Sequence, residues 1–112
     1  MLKKINIRDS SKFPYEYFQY SPVGTMNNHT LSVYQAENRK TDFHVHENAD
    51  ELFFCLEGEF DIETDDGLNH LSEGDFVIVP RGTAHRPVVK NHMRCLLIES
   101  DNASVRKPKG KD

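Results

Sequence analysis

Residues 43–58 read FHVHENADELFFCLEG, and the order of residue types there decides how the rest of the chain is read. His44 and His46 stand two apart, which on a strand puts both imidazoles on one face and Val45 on the other. The residues ENAD then turn the chain, and Glu51 opens an apolar run, ELFFCL. A carboxylate at the head of a segment built for burial needs a partner, because an ionised group forfeits on the order of several kcal/mol of hydration when buried. The turn brings Glu51 opposite the two histidines, so a shared cation takes the place of the lost water. Alternation from Glu51 sends Phe53 and Cys55 to the same interior side, where they are expected to line a mostly apolar pocket.

A fourth candidate ligand lies in EGDFVIVPRGTAHRP, residues 73–87. The strand FVIV is apolar throughout and is expected to be buried on both faces, and His85, just past the Pro80-Arg81-Gly82 turn, is aimed back at an interior site. Three imidazoles and one carboxylate suit a divalent metal ion such as Fe, Mn, Ni, Zn or Cu, with open positions left if the metal is five- or six-coordinate. A single histidine is more often a surface or core side chain than a ligand, and only the joint spacing sets His44, His46 and His85 apart. His29, His70 and His92 lack such a pattern and are expected at the surface. Arg81, Arg86 and Arg94 read mainly as solvated side chains; a guanidinium fork also suits a carboxylate or phosphate, and Arg86, next to His85, is the candidate for the substrate pocket.

Helix-period patterns are scarce around these motifs. Short apolar or alternating runs recur between turn signals, as in an all-β domain. The runs are 30–37, 42–46, 51–57, 59–64, 68–72, 75–80, 85–89 and 93–100, enough for two packed sheets or a barrel. DDG at 65–67 is a hairpin signal, and Gly58 stands where two runs meet. In EFDIET the alternation is strict, with Phe60 and Ile62 on one face and Glu59, Asp61 and Glu63 on the other, so that strand is half buried.

The chain has 112 residues, the length of one domain. No apolar run approaches the roughly 20 residues that span a bilayer, and MLKKINIRDS lacks the apolar stretch of a signal peptide, so a cytoplasmic location is expected. Cys55 and Cys95 sit in apolar runs outside any CxxC and read as small buried hydrophobes rather than a disulfide. Net charge is −4, and residues 1–105 carry ten of the fourteen basic side chains but seventeen of the eighteen acidic ones. That balance argues against a nucleic-acid or anionic-membrane partner, both of which need clustered Lys and Arg. Acidic side chains on outward strand faces keep a sheet soluble and block edge pairing. Residues 1–29 hold the aromatics Phe13, Tyr15, Tyr17, Phe18 and Tyr20 around Pro14 and are expected to form an arm that packs on the barrel or on the partner subunit of a homodimer, with stacking on a substrate as the alternative. Residues 30–100 form the barrel, and the polar, basic 101–112 reads as a disordered tail.

At this point the chain resembles the cupins. Their first motif is Gly, five residues, His-x-His, three or four residues, Glu, six residues, Gly; here His44-Val45-His46, four residues, Glu51, six residues and Gly58 follow it. Their second is Gly, five residues, Pro-x-Gly, two residues, His, three residues, Asn; here Gly74, five residues, Pro80-Arg81-Gly82, two residues and His85 follow it. The departures are Asn38 for the leading glycine and Val89 for the closing asparagine, neither a ligand position in the family. The fifteen residues between Gly58 and Gly74 give the spacing of small single-domain bacterial cupins, some of them loosely labelled sugar-phosphate isomerase-like.

The resemblance implies a double-stranded β-helix or jelly-roll barrel and a metal held by His44, His46, Glu51 and His85. It leaves the reaction open, since similar sites in the family serve dioxygenases, isomerases, decarboxylases, lyases and proteins that only bind. The expected function is a metalloenzyme acting on a small organic molecule, dioxygenase-like first and isomerase-like next, with Glu51 as a fixed ligand or as one that leaves to act as base. A non-catalytic module binding a small ligand or metal, and a metal that only staples the fold, are the alternatives.

Overall fold

The computed structural model describes residues 1–14 and 16–108. Tyr15 of the aromatic arm and the last four residues of the tail lie outside them. Six strands follow a short 3-10 turn at Ser10–Lys12: β1 (Ser21–Met26), β2 (His29–Lys40), β3 (Glu51–Thr64), β4 (Gly67–Ser72), β5 (Phe76–Val79) and β6 (Arg86–Ser100). All pair antiparallel in the order β1-β2-β6-β3-β4, with β5 on β3. The first half of β3 lies between β5 and the end of β6, whereas its second half lies between β4 and the start of β6. The long strands thus carry the sheet over on itself, giving the expected double-stranded β-helix. Among the described residues, no helix is long and apolar enough to cross a membrane.

Several expected boundaries move, each for a local reason. The runs 51–57 and 59–64 form one strand, because Gly58 takes a φ of 76° inside a bulge and bends the strand rather than ending it. The runs 85–89 and 93–100 likewise join into β6, leaving only an irregularity opposite Asn38. Asn38 itself has a φ of 46°. Asparagine tolerates this left-handed conformation better than most residues, so it serves where the family pattern has glycine. Strand β1 escapes the alternation pattern because Pro22 and Gly24 read as breakers; its register slips between them, and it is an edge strand, where proline is tolerated. The segment 42–46 is not a full strand and makes only isolated bridges, His44 with His85 and Val45 with Arg106. Burial of β5 on both faces is also corrected. Phe76 and Ile78 are 61% and 51% exposed, because none of the described residues covers their outward face, whereas Val79 is buried.

Tyr34, Phe53, Phe60, Ile62, Met93 and Leu97 fill the centre of the barrel together with both cysteines. Burial pushes the Cys55 thiol up to about 11 and the Cys95 thiol higher, so both stay protonated at neutral pH. A second cluster lies on the outer face, where Phe13 packs against Val33 and Leu56 with Ile7 and Val23 beside it. Arg94 stacks on the Phe13 ring at 4.6 Å and donates to Ser10 Oγ at 3.1 Å. Coverage from this arm explains why Val33 and Tyr34, adjacent in β2 and pointing to opposite faces, are both fully buried.

Candidate metal centre

The loop after β5 turns at Gly82, whose N–H donates to the His46 carbonyl at 2.7 Å. His85 then pairs with His44 through two backbone hydrogen bonds of 3.1 Å. The side chain of Asp50, in the turn before β3, accepts from the Arg81 N–H at 2.9 Å, tying the two motif loops together. These contacts bring His44, His46, Glu51 and His85 to one point, with one potential ligand atom from each lying within 4.8 Å of the others. His46, Glu51 and His85 are buried and His44 is partly buried.

Each imidazole turns Nδ1 towards a backbone carbonyl: His44 to Asp42 at 3.3 Å, His46 to Ser104 at 2.9 Å and His85 to Thr83 at 2.9 Å. An Nδ1–H donated to a carbonyl leaves Nε2 as the free lone pair, the usual arrangement behind a metal-bound histidine. Glu51 Oε1 lies 2.9 Å from His85 Nε2 and 3.3 Å from His46 Nε2. The first is a good hydrogen bond; the second is an ion-pair distance with poor alignment, which leaves His46 Nε2 a buried nitrogen without a hydrogen-bond partner. A buried lone pair facing a carboxylate and two further imidazoles fits a divalent cation of the nitrogen- and oxygen-binding kind.

The electrostatics have the same cause. Burial alone would raise the Glu51 carboxyl, but the close imidazoles of His46 and His85 outweigh it and pull the group down to about 2. The Glu51 contact raises His46, whereas burial, helped by His85, lowers His44.

Beside the cluster lies a cavity of about 670 Å³, walled by Tyr20, Phe43, Glu99, Val105 and Arg106. Phe53 and Cys55, expected to line it, are core residues outside its wall: the Phe53 ring lies 6.0 Å from that of His85, and the Cys55 thiol is directed at the Gly58 carbonyl. Arg86 is engaged elsewhere. Its Nε donates to Glu63 Oε1 at 2.7 Å and its guanidinium stacks on Phe43 at 4.3 Å. Glu99, which the sequence reading passed over, is the cross-strand partner of Glu51 in the β3–β6 ladder. Burial, then the charge of Glu51 and a hydrogen bond to it, raise the Glu99 carboxyl. Its place follows from the alternation of Met93, Cys95 and Leu97, all fully buried, which carries position 99 to the inner face. His29 and His70 are exposed and His92 half-buried, with His70 held between Glu59 and Asp61.

A family model for the cupin domain matches residues 31–99, more than half of the chain. The chain is a cupin. Over 49 residues this cupin is 41% identical to quercetin 2,3-dioxygenase of Bacillus subtilis, an alignment that spans 44% of the chain and 14% of the enzyme. Over 67 residues it is 37% identical to the uncharacterized protein YdbB of the same organism, covering 57% of each. The chain thus spans only part of the length of both curated relatives. Among solved structures, a cupin-2 domain containing protein from Shewanella frigidimarina superposes with a TM-score of 0.79 at 27% identity, over 86% of this chain and 93% of that one.

Proposed function

We propose that this cupin is a metal-dependent enzyme acting on a small organic molecule, with dioxygenase-like chemistry. The observation that carries the proposal is the convergence of His44, His46, Glu51 and His85 on one buried point that borders the cavity. A divalent iron, manganese or nickel ion held there would supply both Lewis acidity and a meeting place for dioxygen and substrate, whereas zinc would supply only the first. The cavity would hold the substrate against Tyr20, Phe43 and Val105 and exclude bulk water from the cluster. Glu51 serves as ligand or, if released, as base. The match to a dioxygenase over part of its length supports this reading. The isomerase-like reading is favoured by Glu99, a second carboxyl in the cavity next to Glu51, since moving a proton along a substrate needs such a group. A cytoplasmic homodimer belongs to the same proposal, resting for the dimer on the uncovered Phe76 and Ile78.

The test is elemental analysis of tag-free protein purified without oxygen or chelators from media supplemented with Fe, Mn, Ni or Zn. Near-stoichiometric Fe, Mn or Ni retained against zinc is expected, followed by oxygen consumption with a catechol, thiol or diketone. Zinc alone would move the reading to the isomerase, and no metal at all would move it to the binding module.

Binding should also depend on pH in a fixed direction. A cation must displace the proton from each Nε2, and Glu51 holds the proton of His46 more tightly than in free histidine. Competition therefore begins above the ordinary histidine value of roughly 6.5, and affinity falls by about tenfold per pH unit. His44, whose burial lowers its proton affinity, joins the competition only at lower pH and steepens the loss. Zinc titrations between pH 8 and pH 5 check this; an affinity flat across that range would contradict the ligand set.

A further inference from the structure

His44 and His85 each find their carbonyl partner two residues away in their own loop, at Asp42 and Thr83. His46 differs. Its partner, the Ser104 carbonyl, lies 58 residues away in the segment that follows β6. That segment returns along the ligand-bearing stretch as a strap. Val45 and Arg106 exchange backbone hydrogen bonds of 2.9 and 3.1 Å, and the Arg106 guanidinium pairs with Glu47. The strap is also clasped by one side chain. Asn48 Nδ2 donates to the Asn102 carbonyl at 2.8 Å, while Asn48 Oδ1 accepts from the Ser104 N–H at 2.8 Å and from Ser104 Oγ at 3.1 Å. The amide thus uses both its donor and its acceptor on the two residues that flank Ala103, and it fixes the residue whose carbonyl meets His46.

We propose that Asn48 is a positioning residue of the metal centre: it holds the strap so that the Ser104 carbonyl takes the His46 Nδ1–H and presents His46 Nε2 to the cation. The inference rests on the metal-centre reading above and extends it to residues outside the four ligands. A ligand histidine with its second nitrogen fixed has one tautomer and one ring orientation, and loss of such a partner costs roughly 10- to 100-fold in metal affinity. The same strap places Val105 and Arg106 in the cavity wall, so one clasp orders a ligand and shapes the pocket. Asn48 is exposed, so its replacement leaves the core untouched.

The test compares wild type with Asn48→Ala, Asn48→Asp and the double variant Asn48→Ala/Arg106→Ala. Zinc affinity is measured by competition with a chromophoric chelator, and the His46 tautomer is read from imidazole nitrogen shifts of metal-free protein at about pH 9. Asn48→Ala should weaken zinc by about tenfold or more and turn a single Nδ1–H tautomer into a mixture, with the melting temperature of the metal-free protein nearly unchanged. The double variant should lose more. Asn48→Asp, which still accepts from Ser104, should recover most of the affinity. Unchanged zinc affinity and unchanged His46 shifts in both Ala variants would overturn the proposal. A wild type that binds no metal would defeat the metal-centre reading instead, and the tautomer comparison would still decide whether the strap sets His46.

Discussion

Replacing His46 or Glu51 by alanine is expected to reduce bound metal from about one equivalent to less than about 0.1, while the far-ultraviolet spectrum stays that of a β protein. With either side chain gone, three donors remain of four. Glu99 is held in the ladder opposite Glu51, and the other histidines stand at or near the surface, away from the cluster. Loss of a partner behind a ligand already costs roughly 10- to 100-fold in affinity, so loss of a ligand itself weakens binding further and the metal is lost on desalting. The fold should survive, because a buried ion pair contributes little net stability once its desolvation is counted. In Glu51→Ala the carboxylate that raises His46 is absent, and burial then favours the neutral imidazole there, so no unpaired charge is left in the cluster by that group. His70→Ala is the matched control. His70 sits between Glu59 and Asp61 at 3.1 and 2.8 Å, a contact set that superficially resembles a metal ligand's, and its loss should leave metal content unchanged. Elemental analysis of the three variants, loaded and desalted alike, decides the matter. One equivalent of metal retained in both His46→Ala and Glu51→Ala would remove the assignment.

What the sequence discloses about this site depends on how each residue is placed. His44, His46 and Glu51 are legible because short-range geometry fixes them: a two-residue spacing sets a shared face, and a four-residue turn sets an opposed one. His85 is legible only through its turn and the joint pattern, since its contact with His44 joins distant parts of the chain. Glu99 could have been found, because the inward phase of Met93, Cys95 and Leu97 runs straight to it; its charge hid it among surface residues. Tyr20 cannot be singled out from the other arm aromatics, because nothing in the irregular arm sets a phase. Ser104 is beyond any pattern, since it acts through a carbonyl that every residue has. Arg86 shows the opposite case, in which residue type suggests a ligand and the neighbours, Glu63 and Phe43, hold it in a structural contact. For the fold, turn chemistry over-divided the strands. Gly58 and the stretch at 90–92 look like strand ends, yet in a rolled sheet such irregularities are how a long strand bends.

Gly58→Ala should destabilise the protein by about 3 kcal/mol or more, the largest effect expected of any single methyl group in the barrel. Two costs add. At a φ of 76° an L side chain is strained against its own backbone, worth roughly 1 kcal/mol or more. The added Cβ would also lie 2.1 Å from the His92 carbonyl oxygen and 3.0 Å from its carbon, in β6 across the ladder. Those are backbone atoms held by the sheet, so no rotamer change relieves the clash, and β3 and β6 must separate where β3 bends between the two halves of the barrel. Gly67 supplies the comparison: its φ of 120° is also in the left-handed half, but nothing lies within 4 Å of a Cβ built there, so Gly67→Ala carries only the conformational cost. At roughly 4–8 °C per kcal/mol for a domain near this size, Gly58→Ala should lower the melting temperature by at least about 10 °C, and Gly67→Ala by much less. Equal shifts for the two variants would show that backbone conformation alone, and not the approach of β6, fixes glycine at position 58.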